Sequence, residues 1–308
     1  MSNLNKRHAP GLQRRSLMGT GLAALIAAGF IASPLYSGAA IAEELQAQRV
    51  LAIGGAVTEI VYALGEQDRL VGRDSTSTYP PEANALPNVG YIRALSPEGV
   101  LSVKPDLILA RENNGPREAV EVLKSTGVRW VDVPDDFTLE GIDENITIIA
   151  AELGVPDKGE ALKKKVAADI AKARAHLASI ERKHKVMFVM ALTDGKVNAA
   201  GTNTAASNII ELAGGDNVIT AFSGYKQISN EAVINAAPEV IVMMNGRGVS
   251  ADHAAPNALL EAHPALSSTP AVKAGKIIRM DGMLLLGFGP RTGEAITKLA
   301  EALYGHEH

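Results

Sequence analysis

From Arg49 onward, apolar and polar positions alternate between two rhythms. "RVLAIG" (49–54) is a short apolar run that ends in glycine, the form of a buried strand. "AVTEIVYALGEQDRLVG" then sets Ile60, Val61 and Leu64 at helical spacing and closes on Gly65, a glycine stop. "LVGRD" reads as a second strand, "SPEGVLSVKPDLILA" as a helix, a proline break and a strand, and "REAVEVLKSTGVRWVDVP" as another helix-to-strand pair. Helix and strand in turn at this spacing predict a parallel sheet covered by helices.

The texture changes at Asp157. From there to Lys185, "DKGEALKKKVAADIAKARAHLASIERKHK" has no proline, and Leu162, Val166, Ile170, Ala173, Leu177 and Ile180 form one apolar stripe. A helix of that length spans roughly 35–40 Å. The α/β rhythm restarts directly afterwards with "KVMFVMA", so the segment is expected to connect two lobes.

The restart is also a repetition. "SPEGVLSVKPDLILA" (96–110) and "SNEAVINAAPEVIVM" (229–243) share Ser, Glu, Val and Pro at equal spacing, with an acid after each proline. "EIVYALGEQDRLVG" and "NIIELAGGDNVIT" match in the same order. Internal duplication accounts for both pairs, and the long period means two homologous units rather than a solenoid. The expected fold class is α/β, two Rossmann-like lobes with parallel sheets joined by one long α-helix. The expected divisions are an export segment 1–42, a first lobe 43–155, a helix 156–185 and a second lobe 186–308.

Composition narrows the function classes. The chain has 308 residues, 46% hydrophobic and 21% charged, with a net charge of −4, so no basic surface calls for nucleic acid. It has no cysteine, which removes disulfides, thiolate metal sites and a lipid-anchored N-terminal cysteine. "NKRHAPGLQRRSLMG", "LAALIAAGFIASPLY" and "SGAAIA" are a basic stretch, an apolar stretch and a small-residue cleavage pattern ending at Ala42. Arg14-Arg15 before Ser-Leu-Met fits twin-arginine export, with a general secretory signal as the plainer reading. The mature protein is expected in the periplasm as a monomer, not embedded in the membrane.

No phosphate-binding, nucleophile-elbow or zinc-protease motif occurs. "NAAGTNTAASNII" is a Gly/Ser/Thr loop entering a helix; a well-capped helix start explains it more simply than an anion site. The seven histidines form no pair suited to zinc. His176 falls about 40° to one side of the apolar stripe on the bridge helix, either an ordinary flank position or the edge of a cleft.

Tyr79 stands apart. Aromatics make up only 4% of the chain, and this one sits in "STSTYPPEA", where two prolines restrict the backbone. Tyrosinate is an oxygen ligand of ferric haem, and a metal or nearby cation is needed to make a phenolate near neutral pH. Arg73, Arg93, Arg111 and Arg247 lie in or beside loops expected to face between lobes, where they can pair with that phenolate or with ligand carboxylates. A loop tyrosine that caps the sheet is the competing reading.

The order lobe, long helix, lobe, with "LAIGGAVTEIVYALG", "STSTYPPEA" and "SPEGVLSVKPDLILA", resembles the helix-hinged (class III) periplasmic binding proteins of ABC importers, and within them the haem-binding components. The resemblance covers the whole mature chain. It implies that Tyr79 is the axial ligand of ferric haem and that Glu98 and Glu231, one per lobe, dock onto an inner-membrane permease dimer with its ATPase. It also implies that Arg247 pairs with the tyrosinate and that His176 holds a second, stacked haem. Tyr225 and Met283 are expected to line the site from their loop positions, with Arg73 beside it. A ferric siderophore or cobalamin is the alternative cargo, and an exported α/β enzyme the alternative class.

Overall fold

A computed structural model of the chain describes residues 47–175, 177, 180–245 and 256–305. The export segment, His176 and Arg247 lie outside the described residues.

The first lobe follows the predicted rhythm: β1 (Val50–Ile53), α1 (Gly55–Ala63), β2 (Leu70–Arg73), α2 (Pro97–Ser102), β3 (Leu107–Arg111), α3 (Arg117–Ser125) and β4 (Arg129–Val133). Its sheet has the order β2-β1-β3-β4, and every pairing is parallel. Gly65 ends the first helix at φ 74°, a left-handed backbone that a side chain disfavours. The chain then runs through α4 (Leu139–Glu152) and α5 (Pro156–Ala175) into the second lobe.

That lobe contains β5 (Lys185–Thr193), β6 (Lys196–Ala200), α6 (Ala205–Leu212), β7 (Asp216–Asn217), β8 (Tyr225–Ile228), α7 (Asn230–Ala236), β9 (Val240–Met244), α8 (Asn257–Ala262), α9 (Pro270–Lys273), β10 (Ile277–Met280), α10 (Gly282–Leu286) and α11 (Thr292–Tyr304). Strands β10, β9 and β5 are parallel, as is the short β7 beside β5. Strands β6 and β8 extend this parallel centre antiparallel, turning at Asp194-Gly195, where both residues have positive φ.

Strand alternation explains how the layers meet. In β1 and β3, Val50, Ala52, Leu107 and Leu109 join one core, while Leu51, Ile53 and Ile108 join another under the outer helices. In β5 and β9, Val186, Phe188, Val240 and Val242 enter that same first core, and Met187, Val189, Ile241 and Met243 face away from it. Residues of α4, α5 and α11 complete the shared core. The two sheets therefore bury one face each against a common layer of helices.

The connector is shorter than its apolar pattern implies. The α-helix stops at Ala175, about 30 Å from its start at 1.5 Å per residue, rather than continuing to Lys185. Leu177 and Ile180 lie beyond this helix, with Ile180 N–H donating to the Leu177 carbonyl, and both side chains close over Gly214. Their periodicity is real, but it serves packing against the second lobe. Nor does α5 stand alone, because it lies against both α4 and α11.

The duplicated segments have equivalent structures. Ser96 caps α2 by accepting from Gly99 N–H at 3.0 Å, and Ser229 caps α7 by accepting from Ala232 N–H at 3.2 Å. Each helix leads into a buried strand, β3 or β9. No helix among the described residues is long and apolar enough to cross a membrane.

At the base of the second lobe, Glu239 accepts from Arg182 at 2.7 Å and from the Lys185 N–H at 3.1 Å, with His184 Nδ1 3.2 Å away. The Arg182 hydrogen bond, aided by the backbone and His184, holds the Glu239 carboxyl at about 2, against an ordinary 4.5. A depressed folded-state pKa gives stability that is complete above about pH 4.5 and withdrawn as pH falls toward 2. Glu239→Gln is therefore expected to lower stability at neutral pH and to flatten its decline over that acid window. Urea unfolding of both proteins at stepped pH measures the difference.

Candidate functional site

A cavity of about 660 Å³ opens at the carboxyl ends of the strands, between the two lobes. The first lobe contributes Gly54, Thr76, Tyr91, Arg93, Arg111, Asp135 and Phe137; the second contributes Met190, Tyr225, Met244 and Met283. The lining combines three methionines and three aromatic rings with the charged Arg93, Arg111, Glu112 and Asp135 and several uncharged polar side chains.

The loop after β2 is built on one buried carboxylate. Asp74 is fully buried and accepts from Gly54 N–H at 2.9 Å, the Ser77 hydroxyl at 2.7 Å, and both the backbone N–H and hydroxyl of Thr76 at 2.9 and 2.7 Å. Thr58 of α1 adds a hydroxyl contact to Ser77 at 2.8 Å. These bonds tie the loop to the start of α1. Asp74→Ala strands four donors, so it is expected to cost about 3 kcal/mol of unfolding free energy in urea. It should also weaken whatever the loop binds.

Ser75 and Thr76 line the cavity; Tyr79, further along the loop, is not among the lining residues. Tyr79 is 41% exposed and lies with its ring face under the guanidinium of Arg291, 3.6 Å from Cζ to centroid. Arg291 is itself held by Glu59 of α1, through Nε at 2.9 Å and Nη2 at 2.5 Å. Glu59 is buried, and burial pushes its carboxyl upward while the Arg291 hydrogen bonds and charge oppose that shift.

Among the arginines, Arg93 and Arg111 line the cavity and Arg73 does not. Arg73 is buried within the first lobe, its Nη1 donating to the Asp74 carbonyl at 3.1 Å while its Nε is buried without a hydrogen-bond partner. Arg111 ends β3 and joins the lobes: Nε donates to Asp135 at 2.5 Å and Nη1 to the Gly287 carbonyl at 2.6 Å. Its guanidinium lies 5.2 Å from the Phe137 ring centroid, and Nη2 is buried without a hydrogen-bond partner.

Tyr225 and Met283 take their expected places in the lining. The Tyr225 ring meets Phe188 edge-to-face at 6.4 Å, and burial pushes the pKa of its phenol up. Met283 crosses from the second lobe onto Gly55, where any side chain would collide with its Cε. Glu98 and Glu231 are exposed in the first turns of α2 and α7, equivalent positions of the duplicated unit. Among the described residues, no group of three or more His, Asp or Glu is placed to hold a metal ion.

Sequence reasoning missed Asp74, Glu59 and Arg291. Glu59 left one signal, a carboxylate on a helix whose neighbours Ile60 and Val61 are apolar core. Arg291 left none, since its partner lies at the other end of the chain.

Comparison with known proteins places this geometry in context. The model of a family described as "Periplasmic binding protein" matches residues 50–284. Among solved structures, the chain is similar to the periplasmic heme-binding protein BhuT in complex with two hemes: 38% identical, TM-score 0.77, over 83% of this chain and 97% of that one. It is similar also to the apo form of the periplasmic heme-binding protein RhuT from Roseiflexus sp. RS-1: 37% identical, TM-score 0.78, over 83% of this chain and 98% of that one. A vitamin B12-binding protein from Vibrio parahaemolyticus is 29% identical over 213 residues, 68% of this chain and 74% of that protein.

Proposed function

The chain belongs to the periplasmic binding protein family, as a periplasmic substrate-binding component of an ABC import system and not an enzyme, and on that premise we propose that its cargo is ferric haem. The observation that carries this reading is the pairing of a methionine- and aromatic-lined cavity with a tyrosine on the loop that forms its wall. A porphyrin offers two broad apolar faces, which such a lining suits. Its propionates meet a site containing Arg93 and Arg111.

In this reading Tyr79 supplies the axial oxygen, and its phenol proton leaves to solvent as the iron–oxygen bond forms. Tyr225 and Met283 cover the macrocycle, Arg247 pairs with the tyrosinate, and His176 serves a second haem. The loaded protein presents Glu98 and Glu231 to a permease dimer, whose two-fold symmetry matches one acid per lobe. The names of the heme-binding structures support the cargo, and Arg73 is not among the cavity-lining residues.

The cobalamin-binding relatives favour a second reading, a corrinoid in the same cavity. Titration of the mature protein with hemin and, separately, with cyanocobalamin decides between them. Saturable hemin binding with a visible charge-transfer band, and no competition by cyanocobalamin, is the expected result. Tight cyanocobalamin binding without hemin binding replaces the proposal with the second reading.

A further inference from the structure

Three groups from distant parts of the chain form one stack. The Glu59 carboxylate takes the edge of the Arg291 guanidinium through two hydrogen bonds, which leaves the planar faces of that cation free. Tyr79 occupies one of those faces at 3.6 Å. The neighbourhood is close-packed: Gly289 lies against Ala56, one helical turn before Glu59, and Thr58 anchors Ser77, two residues before Tyr79. Glu59 is buried and Arg291 is largely so, which leaves the guanidinium little freedom to leave the ring.

We propose that Arg291, locked by Glu59, is the positioning residue for Tyr79, setting the plane of its ring and placing a fixed positive charge against the tyrosinate that binds iron. The inference rests on the reading of Tyr79 as the axial ligand. A guanidinium over an aromatic face is attracted to the ring, and more strongly once the ring carries negative charge. Because Glu59 holds the cation from behind, the contact exists before cargo arrives.

The test compares Tyr79→Phe, Arg291→Ala, Arg291→Lys and Glu59→Gln with the parent protein by hemin titration, visible spectrum and ferric/ferrous midpoint potential. Tyr79→Phe is expected to lose the charge-transfer band outright. Arg291→Ala is expected to keep a band but shift it, lower the midpoint potential and weaken hemin binding about tenfold. Arg291→Lys, which keeps the charge without the planar fork, is expected to recover only part of each effect. If Arg291→Ala melts earlier yet keeps the parent's band, potential and affinity, the pair only ties the lobes together and the inference is overturned. Should that variant fail to fold, the near-isosteric Glu59→Gln carries the same comparison, and an unshifted band and potential there overturn the inference equally. An unchanged spectrum in Tyr79→Phe instead brings down the axial-ligand reading, a failure distinct from the first and one that removes the inference with it.

Discussion

Tyr79→Phe is expected to abolish the ferric tyrosinate band and to weaken hemin binding by about a hundredfold, while leaving the melting temperature almost unchanged. The two halves of that expectation have separate causes. The phenol oxygen is the donor proposed for the iron, and phenylalanine deletes only that atom. The loop does not need the hydroxyl to hold its shape, because Asp74, Thr58 and Ser77 fix it from within, and the ring with its Arg291 contact is retained. A surface change of this kind alters stability by about 0.5 kcal/mol or less. Absorption spectra during hemin titration and a thermal melt measure both. Unaltered affinity and spectrum would count against Tyr79 as the ligand.

The second large effect concerns delivery. Glu98→Lys combined with Glu231→Lys is expected to leave hemin binding at the parent value and to cut cargo-stimulated ATP hydrolysis by the permease complex about tenfold or more. Both acids are exposed in the first turn of equivalent helices and are remote in role from the cavity lining. Charge reversal at a helix N-terminus costs about 0.3–1 kcal/mol at each site, too little to unfold the protein. Each single variant is expected to fall in between, since the other lobe retains its acid. Reconstituted permease with loaded binding protein provides the assay, and full stimulation by the double variant would exclude these glutamates from docking.

The parts of the fold that could be read from the sequence are those encoded locally. Gly65 acts within a few residues of itself, so the helix end it defines was visible, and Ser96 and Ser229, which cap their helices equally locally, stood out as matching positions of the repeat. The duplicated segments gave the same strands twice. The antiparallel extension of the second sheet was less visible, although Asp194-Gly195 is a recognisable hairpin turn. The end of α5 was hidden for a physical reason. Leu177 and Ile180 keep helical spacing while packing on Gly214 outside the helix, and periodicity reports burial rather than backbone hydrogen bonding. The site divides in the same way: Tyr225 and Met283 were expected in loops, yet they line the cavity from β8 and α10, whereas Glu59 and Arg291 meet across nearly the whole chain. Arg73 has the composition of a ligand-binding residue, but it is buried within the first lobe and is not among the cavity-lining residues.

The stretch from Met283 to Arg291 touches the first lobe repeatedly: the Met283 thioether rests on Gly55, the Gly287 carbonyl takes Arg111, the Phe288 ring meets Phe137, and Arg291 takes Glu59. Prising the jaws apart would break the Glu59–Arg291 ion pair and the Arg111 contact to Gly287, so these contacts oppose opening.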